Sequence, residues 1–279
     1  MKPIAAADPI VAIGVRLVAT TVLALAGGGA LGSADIAPRP AATDAAPRHD
    51  ASELPRAGGA AATVPTAAVA APADVIRSPE RRPCPSAPAV RIDATDPRDT
   101  DTVCDGAAAA LRFFEARGLR TLERIDIDVR PALPPEVGPR ATGCWLPSSG
   151  RVVILDRAAF QRRRTWLGVP IQPGLQRAIA AHEVAHALAG CNFVAPRPPI
   201  HAQEYVAYVV TLVTMPAALR DRVLKATPGD GFATVSTIGE LLYAFDTQRF
   251  GIESYRHYTK PDHGDAFLRR VLAGEALAE

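Results

Sequence analysis

His182-Glu183-Val184-Ala185-His186 is the stretch whose residue types and spacing could most directly do chemistry. On a helix, positions four apart lie on one face, so both imidazoles can reach one metal ion. Glu183 is rotated by about 100° from His182, which sets its carboxylate beside the ion and not on it. From there it can take a proton from a water that the ion activates. Zinc suits such a site, because it accepts nitrogen and oxygen ligands, leaves a position open for water and lowers that water's pKa. Three fixed positions in five recur by chance in on the order of 1% of chains this long, so the setting has to strengthen the motif.

That setting is a helix expected over Pro173 to Gly190, with Pro and Gly at its ends. Ala178, Ala181, Ala185 and Ala189 give it small faces for close packing. A catalytic zinc needs a third protein ligand. His201 and Glu204 are the candidates, at the start of a segment from Ala202 to Thr214. Its β-branched content suits either a strand or a helix. Val206, Val209, Val210 and Val213 recur at three- and four-residue steps, which favours a helix.

An HExxH helix followed by a glutamate on the next helix resembles the gluzincin group of zinc peptidases. Glu204 lies 18 residues beyond His186, a spacing that group uses. The resemblance covers about Val152 to Thr214. It implies a zincin-like fold, Zn2+ held by His182, His186 and Glu204, Glu183 as general base, and a peptide or protein substrate. His201 is the competing third ligand. The strand at Arg151 to Leu155 resembles the edge along which such enzymes align an extended substrate, a form of strand addition. Transition-state stabilisation needs a donor aimed at the oxyanion. The group often uses a Tyr or His from the C-terminal part, which points to Tyr255, His257 and Tyr258; Tyr208 and His263 are further candidates. Tyr208, four residues after Glu204, could instead orient a ligand. The chain departs from the metzincin pattern, lacking its glycine and third histidine. It also carries Tyr208 where thermolysin-like enzymes have Asp, and it lacks the aminopeptidase motif. The likeness is therefore to the clan.

The elements that must position these residues give an α+β domain with a small mixed sheet and a mostly helical C-terminal half. Thr100 to Arg117 reads as a helix ended by Gly118. Arg124 to Arg130 alternates as a strand, with Asp126 and Asp128 facing solvent. Thr142 to Leu146 and Arg151 to Leu155 read as a hairpin, followed by a short helix at Arg157 to Arg163. Helices at Leu219 to Lys225, Ile238 to Phe250 and Asp265 to Leu272 complete the chain.

Of the 279 residues, 48% are hydrophobic, which calls for a folded part. A net charge of only +2 gives no reason to expect a nucleic-acid partner. Residues 1–34 read as a signal peptide: Lys2 and Arg16, an apolar stretch, then small residues before Asp35. That stretch is about 15 residues, short of the ~20 needed to span a bilayer, so cleavage without stable membrane insertion is expected. Residues 35–82, rich in Ala and Pro, read as a linker, and 83–279 as the folded domain. The expected location is periplasmic or secreted. Four cysteines suit an oxidising compartment. The expected pairs among the three possible connectivities are Cys84–Cys104 and Cys144–Cys191.

Overall fold

The computed structural model describes residues 81–278. The signal peptide, and all but the end of the expected linker, lie outside the described residues. Arg81 already belongs to the domain, because its guanidinium ion-pairs with Asp128 at 2.7 Å.

The chain enters through β1 (Arg82–Cys84) and β2 (Ala87–Asp93), two strands that the prolines hide in the sequence. Pairing between them shifts register between Pro83 and Cys84, and an irregular ladder of this kind tolerates Pro83 and Pro88. Helix α1 (Pro97–Glu115) follows, its N-terminus capped by the Asp96 carboxylate. Then come β3 (Ile125–Arg130), β4 (Gly143–Leu146) and β5 (Arg151–Leu155). The sheet order is β1-β2-β3-β5-β4. β2, β3 and β5 run parallel, and the two outer strands are antiparallel to their neighbours. The mixed sheet is thus as expected, but the edge strand is not. β5, the strand read as an edge, lies inside the sheet, and β4 is the edge beside the motif helix. The physical reason is visible in composition: Val152 to Leu155 is an unbroken apolar run, which suits a strand with neighbours on both sides.

One sheet face carries Val90, Ile92, Ile125, Ile127, Val152 and Ile154, all buried beneath helices. The other face is charged. Asp128 does not face solvent as the alternation suggests: it is buried and accepts from Arg81 and Arg151, at 2.7 and 3.1 Å. A carboxylate can be buried only when paired in this way.

The helices are α2 (Arg157–Gln161), α3 (Pro173–Gly190), α4 (Ile200–Thr214), α5 (Ala217–Ala226), α6 (Glu240–Phe245), α7 (Thr247–Tyr258) and α8 (Gly264–Ala273). α3 has the boundaries its Pro and Gly announce. It is buried over most of its circumference, between α1 and the sheet on one side and α4 on the other. The helix expected over Ile238 to Phe250 is instead two. Asp246 breaks it at φ −146°, and its carboxylate accepts from the Arg249 N–H to start α7. Capping competes with helix continuation wherever Asp can reach a free N–H two or three residues on.

Cys84 and Cys104 form a disulfide that ties β1 to α1. The second expected pair does not form: Cys144 lies on β4, Cys191 caps α3, and both are free thiols. Among the described residues no helix is long and apolar enough to cross a membrane.

Behind the motif, α1 packs extensively against α3. A Cβ on Gly106 would overlap the Arg177 carbonyl oxygen and come within 2.7 Å of the Ala180 Cβ. Ala in place of a mid-helix Gly ordinarily stabilises by roughly 0.5–1 kcal/mol. Here the sign should reverse. Gly106→Ala is expected to lower stability by about 1–3 kcal/mol in urea unfolding, as overpacking does. A gain in stability would contradict this packing.

Candidate metal centre

His182 and His186 project from the same face of α3, and Glu204 projects toward them from the first turns of α4. His182 Nε2 lies 3.2 Å from His186 Nε2 and 3.5 Å from Glu204 Oε2; His186 Nε2 lies 3.7 Å from Glu204 Oε1. Four ligands arranged tetrahedrally at about 2.0–2.1 Å from an ion sit roughly 3.3–3.4 Å apart. The imidazole spacing is close to that value, the carboxylate meets the two rings through different oxygens, and one ligand atom from each residue lies within 4.8 Å of the others, so the residues fit a metal ion. Among the described residues this is the group that could hold one.

The electrostatics agree with the geometry. Burial drives the His186 imidazole down to about 4, so it stays neutral with a lone pair to offer. Burial opposes ionisation of Glu204, yet the imidazoles and a Tyr243 hydroxyl outweigh it and hold the carboxyl below its usual range. Burial also opposes charging of His182, but the Glu204 hydrogen bond and the Glu183 and Glu204 charges draw a proton to it. A pocket that pulls a proton toward its centre in this way is one where a cation is stabilised.

Glu183 points past the triad to the edge strand. A Cβ on Gly143 would come within 2.7 Å of Glu183 Oε1, so a side chain at that position of β4 would displace the carboxylate from where it lies. Burial, reinforced by the Glu204 charge, pushes the Glu183 carboxyl up to about 7. The neighbouring Cys144 thiol is pushed up to about 12, by burial first and then by the Glu183 charge. It is therefore an un-ionised thiol at neutral pH.

Glu204, and not His201, lies with the two histidines in the group that could hold an ion. His201 is buried one turn earlier on α4, facing Glu240 Oε1 at 3.8 Å. The proposed oxyanion residues are not brought to the triad. Tyr258 Oη is engaged by Arg117, in the turn after α1, and by Asp265, at 2.9 and 2.5 Å. His257 Nδ1 meets the Tyr205 hydroxyl at 2.8 Å, and Tyr255 lies under the Arg220 guanidinium. His263 stacks on His257 with ring centroids 3.9 Å apart. The break at Asp246 is the cause, because it separates Tyr255 to Tyr258 from the short helix α6 that reaches the site.

What α6 brings is Tyr243, whose hydroxyl donates to Glu204 Oε1 at 3.0 Å. Tyr208, the alternative considered for ligand orientation, does lie at the site: its ring packs edge-on against the His182 ring, centroids 4.6 Å apart. Thr211 meets His182 Nδ1 at 3.1 Å. Tyr243, Thr211 and Gly143 escape sequence reasoning. Thr211 alone left a signal, since Glu204, Tyr208 and Thr211 form a polar stripe at four- and seven-residue spacing on an apolar helix.

The fold and site thus define an α+β domain with a cradle of two histidines and one glutamate that could hold a metal ion, beside a buried glutamate on a sheet edge. Residues 90–279 match the family of unknown function DUF6639, and the chain belongs to that family. No curated protein and no solved structure matches the chain.

The cluster around His257 generates a stability prediction of its own. Burial, helped by the His263 and Lys260 charges, lowers His257 to about 4. The unfolded chain takes up this proton below about 6.5, and the folded one does not until about 4. The unfolded state therefore binds more protons across that window, and stability falls as pH drops through it. In denaturant titrations, His257→Phe is expected to flatten the pH dependence between those two values. An unchanged slope would contradict the neutral, buried assignment.

Proposed function

We propose that this domain is a zincin-like zinc metallopeptidase that hydrolyses peptide bonds in an exported protein. The observation that carries the reading is the convergence of His182, His186 and Glu204, with one ligand atom from each within 4.8 Å of the others. The donor set, two imidazoles and one carboxylate, is one that catalytic zinc accepts while keeping a position open.

When bound, zinc would polarise a substrate carbonyl and make a water nucleophilic near neutral pH. The chain's own residues supply the rest. Glu183, held against Gly143 and poised at about 7, can take a proton as the nucleophile forms and return it to the leaving amine. Tyr243 and Tyr208 border the ligand group, and a hydroxyl of this kind can stabilise negative charge developing on a carbonyl oxygen. These two tyrosines replace Tyr255, His257 and Tyr258 in that role. β4 supports a peptide as substrate: it is an antiparallel edge strand whose Gly143 abuts the general base. An extended backbone added to that edge brings its carbonyls past Glu183. The Cys84–Cys104 disulfide supports an oxidising periplasmic or extracellular location.

Zinc per chain, measured by elemental mass spectrometry, is expected to be about one and to be lost in His186→Ala. Glu183→Gln should keep the metal while hydrolysis of an unfolded protein substrate falls by about 10²–10⁴-fold. Undiminished hydrolysis in Glu183→Gln would remove the general-base assignment. Zinc without any hydrolysis in the wild type would overturn the peptidase reading and leave a binding module.

A further inference from the structure

Thr211 sits in the middle of α4, fully buried, among Val206, Val209, Val210 and Val213. Packing alone would be served there by valine, and a buried hydroxyl carries a desolvation cost that valine avoids. Its hydroxyl makes two contacts: 2.7 Å to the Ala207 carbonyl oxygen and 3.1 Å to His182 Nδ1. Thr214, one turn on, shows what a helical threonine does without a further task. Its hydroxyl donates to the Val210 carbonyl at 2.8 Å and meets no side chain.

The two contacts of Thr211 fix where the protons are. A carbonyl oxygen has no proton to give, so the Ala207 contact requires the Thr211 hydroxyl to donate its single hydrogen there. Toward His182 the same oxygen then has only lone pairs, and it can only accept. Nδ1 must therefore carry the hydrogen. A second proton drawn to the ring by Glu204 sits on Nε2; once the imidazole is neutral, as ligation requires, Nε2 is left as a lone pair, and Nε2 is the atom that faces His186 and Glu204. The opposite tautomer would set two lone pairs against each other at 3.1 Å inside the core.

We infer that Thr211 is a positioning residue that locks His182 in the Nδ1–H tautomer and thereby presets Nε2 as a metal ligand. The inference rests on the metal reading above and adds a residue that acts through His182 without touching the ion. Ala207 takes part through its backbone, as the acceptor that orients the hydroxyl. Glu204 and Thr211 lie two turns apart on α4, so one helix supplies both a ligand and the group that prepares the ligand opposite.

The test uses the full chain and zinc alone, with affinity measured by competition against a chromophoric chelator. Thr211→Val keeps the shape and removes the acceptor; zinc affinity should fall by about 10–100-fold. Thr211→Ser keeps the hydroxyl and should restore affinity to near the wild-type value. The tautomer is read separately, by nitrogen NMR of the imidazoles in metal-free wild-type protein at alkaline pH, where His182 should show its proton on Nδ1. Wild-type affinity in Thr211→Val, or a proton on Nε2 of His182 in the NMR, would overturn the role of Thr211 and leave the metal reading standing. A wild-type chain that takes up no zinc would overturn the metal reading itself and this inference with it. If Thr211→Val fails to fold, the NMR result on the wild type decides.

Discussion

Two imidazoles and a carboxylate share a space in the interior of this domain that is about one ion wide. Groups of this kind lose their hydration on burial and must regain it from partners. Much of the structure follows from that demand. α3 and α4 have to approach closely enough for His182 and His186 to meet Glu204, and the alanines along α3 permit it. On the far side Gly106 lets α1 close in on α3, so the helix bearing the histidines is clamped from both sides. Two ring nitrogens 3.2 Å apart then face the two oxygens of one carboxylate at 3.5 and 3.7 Å. A cation resolves that arrangement better than any proton distribution among the three groups, because it can satisfy all of them at once.

The surroundings divide into two borders. On the Glu183 side stands β4, an edge strand whose glycine admits the carboxylate. On the Glu204 side stands α6, whose Tyr243 donates to that carboxylate while Leu241 and Phe245 on the same short helix remain exposed. In the proposed peptidase reading, hydrogen-bonding backbone on one border and an aromatic hydroxyl with apolar neighbours on the other would suit a peptide.

The sequence announces the parts of this site that obey local rules. Histidines four apart between a helix-starting Pro and a closing Gly give the candidate ligand face and its boundaries, and the resemblance singled out Glu204, which the structure brings to the two rings. What it conceals depends on tertiary placement. Strand order put β4 at the edge although β5 was the more conspicuous strand; the unbroken apolar run of β5 was the clue to its interior position. Cys144 and Cys191 satisfy an even count, but one lies on that edge strand and the other at the end of α3, and no bridge joins them. Tyr255, His257 and Tyr258 make a conspicuous polar cluster that Asp246 redirects into contacts with α4, α5 and α8. Tyr243, a lone aromatic on a six-residue helix, reaches the site unannounced.

The central claim is the identity of the three ligands, and X-ray absorption at the zinc edge of the loaded protein tests it most directly. Nitrogen and oxygen neighbours only are expected, at about 2.0–2.1 Å, with multiple scattering from two imidazoles. A sulfur neighbour at about 2.3 Å would contradict it, and would move the metal to Cys144 or Cys191.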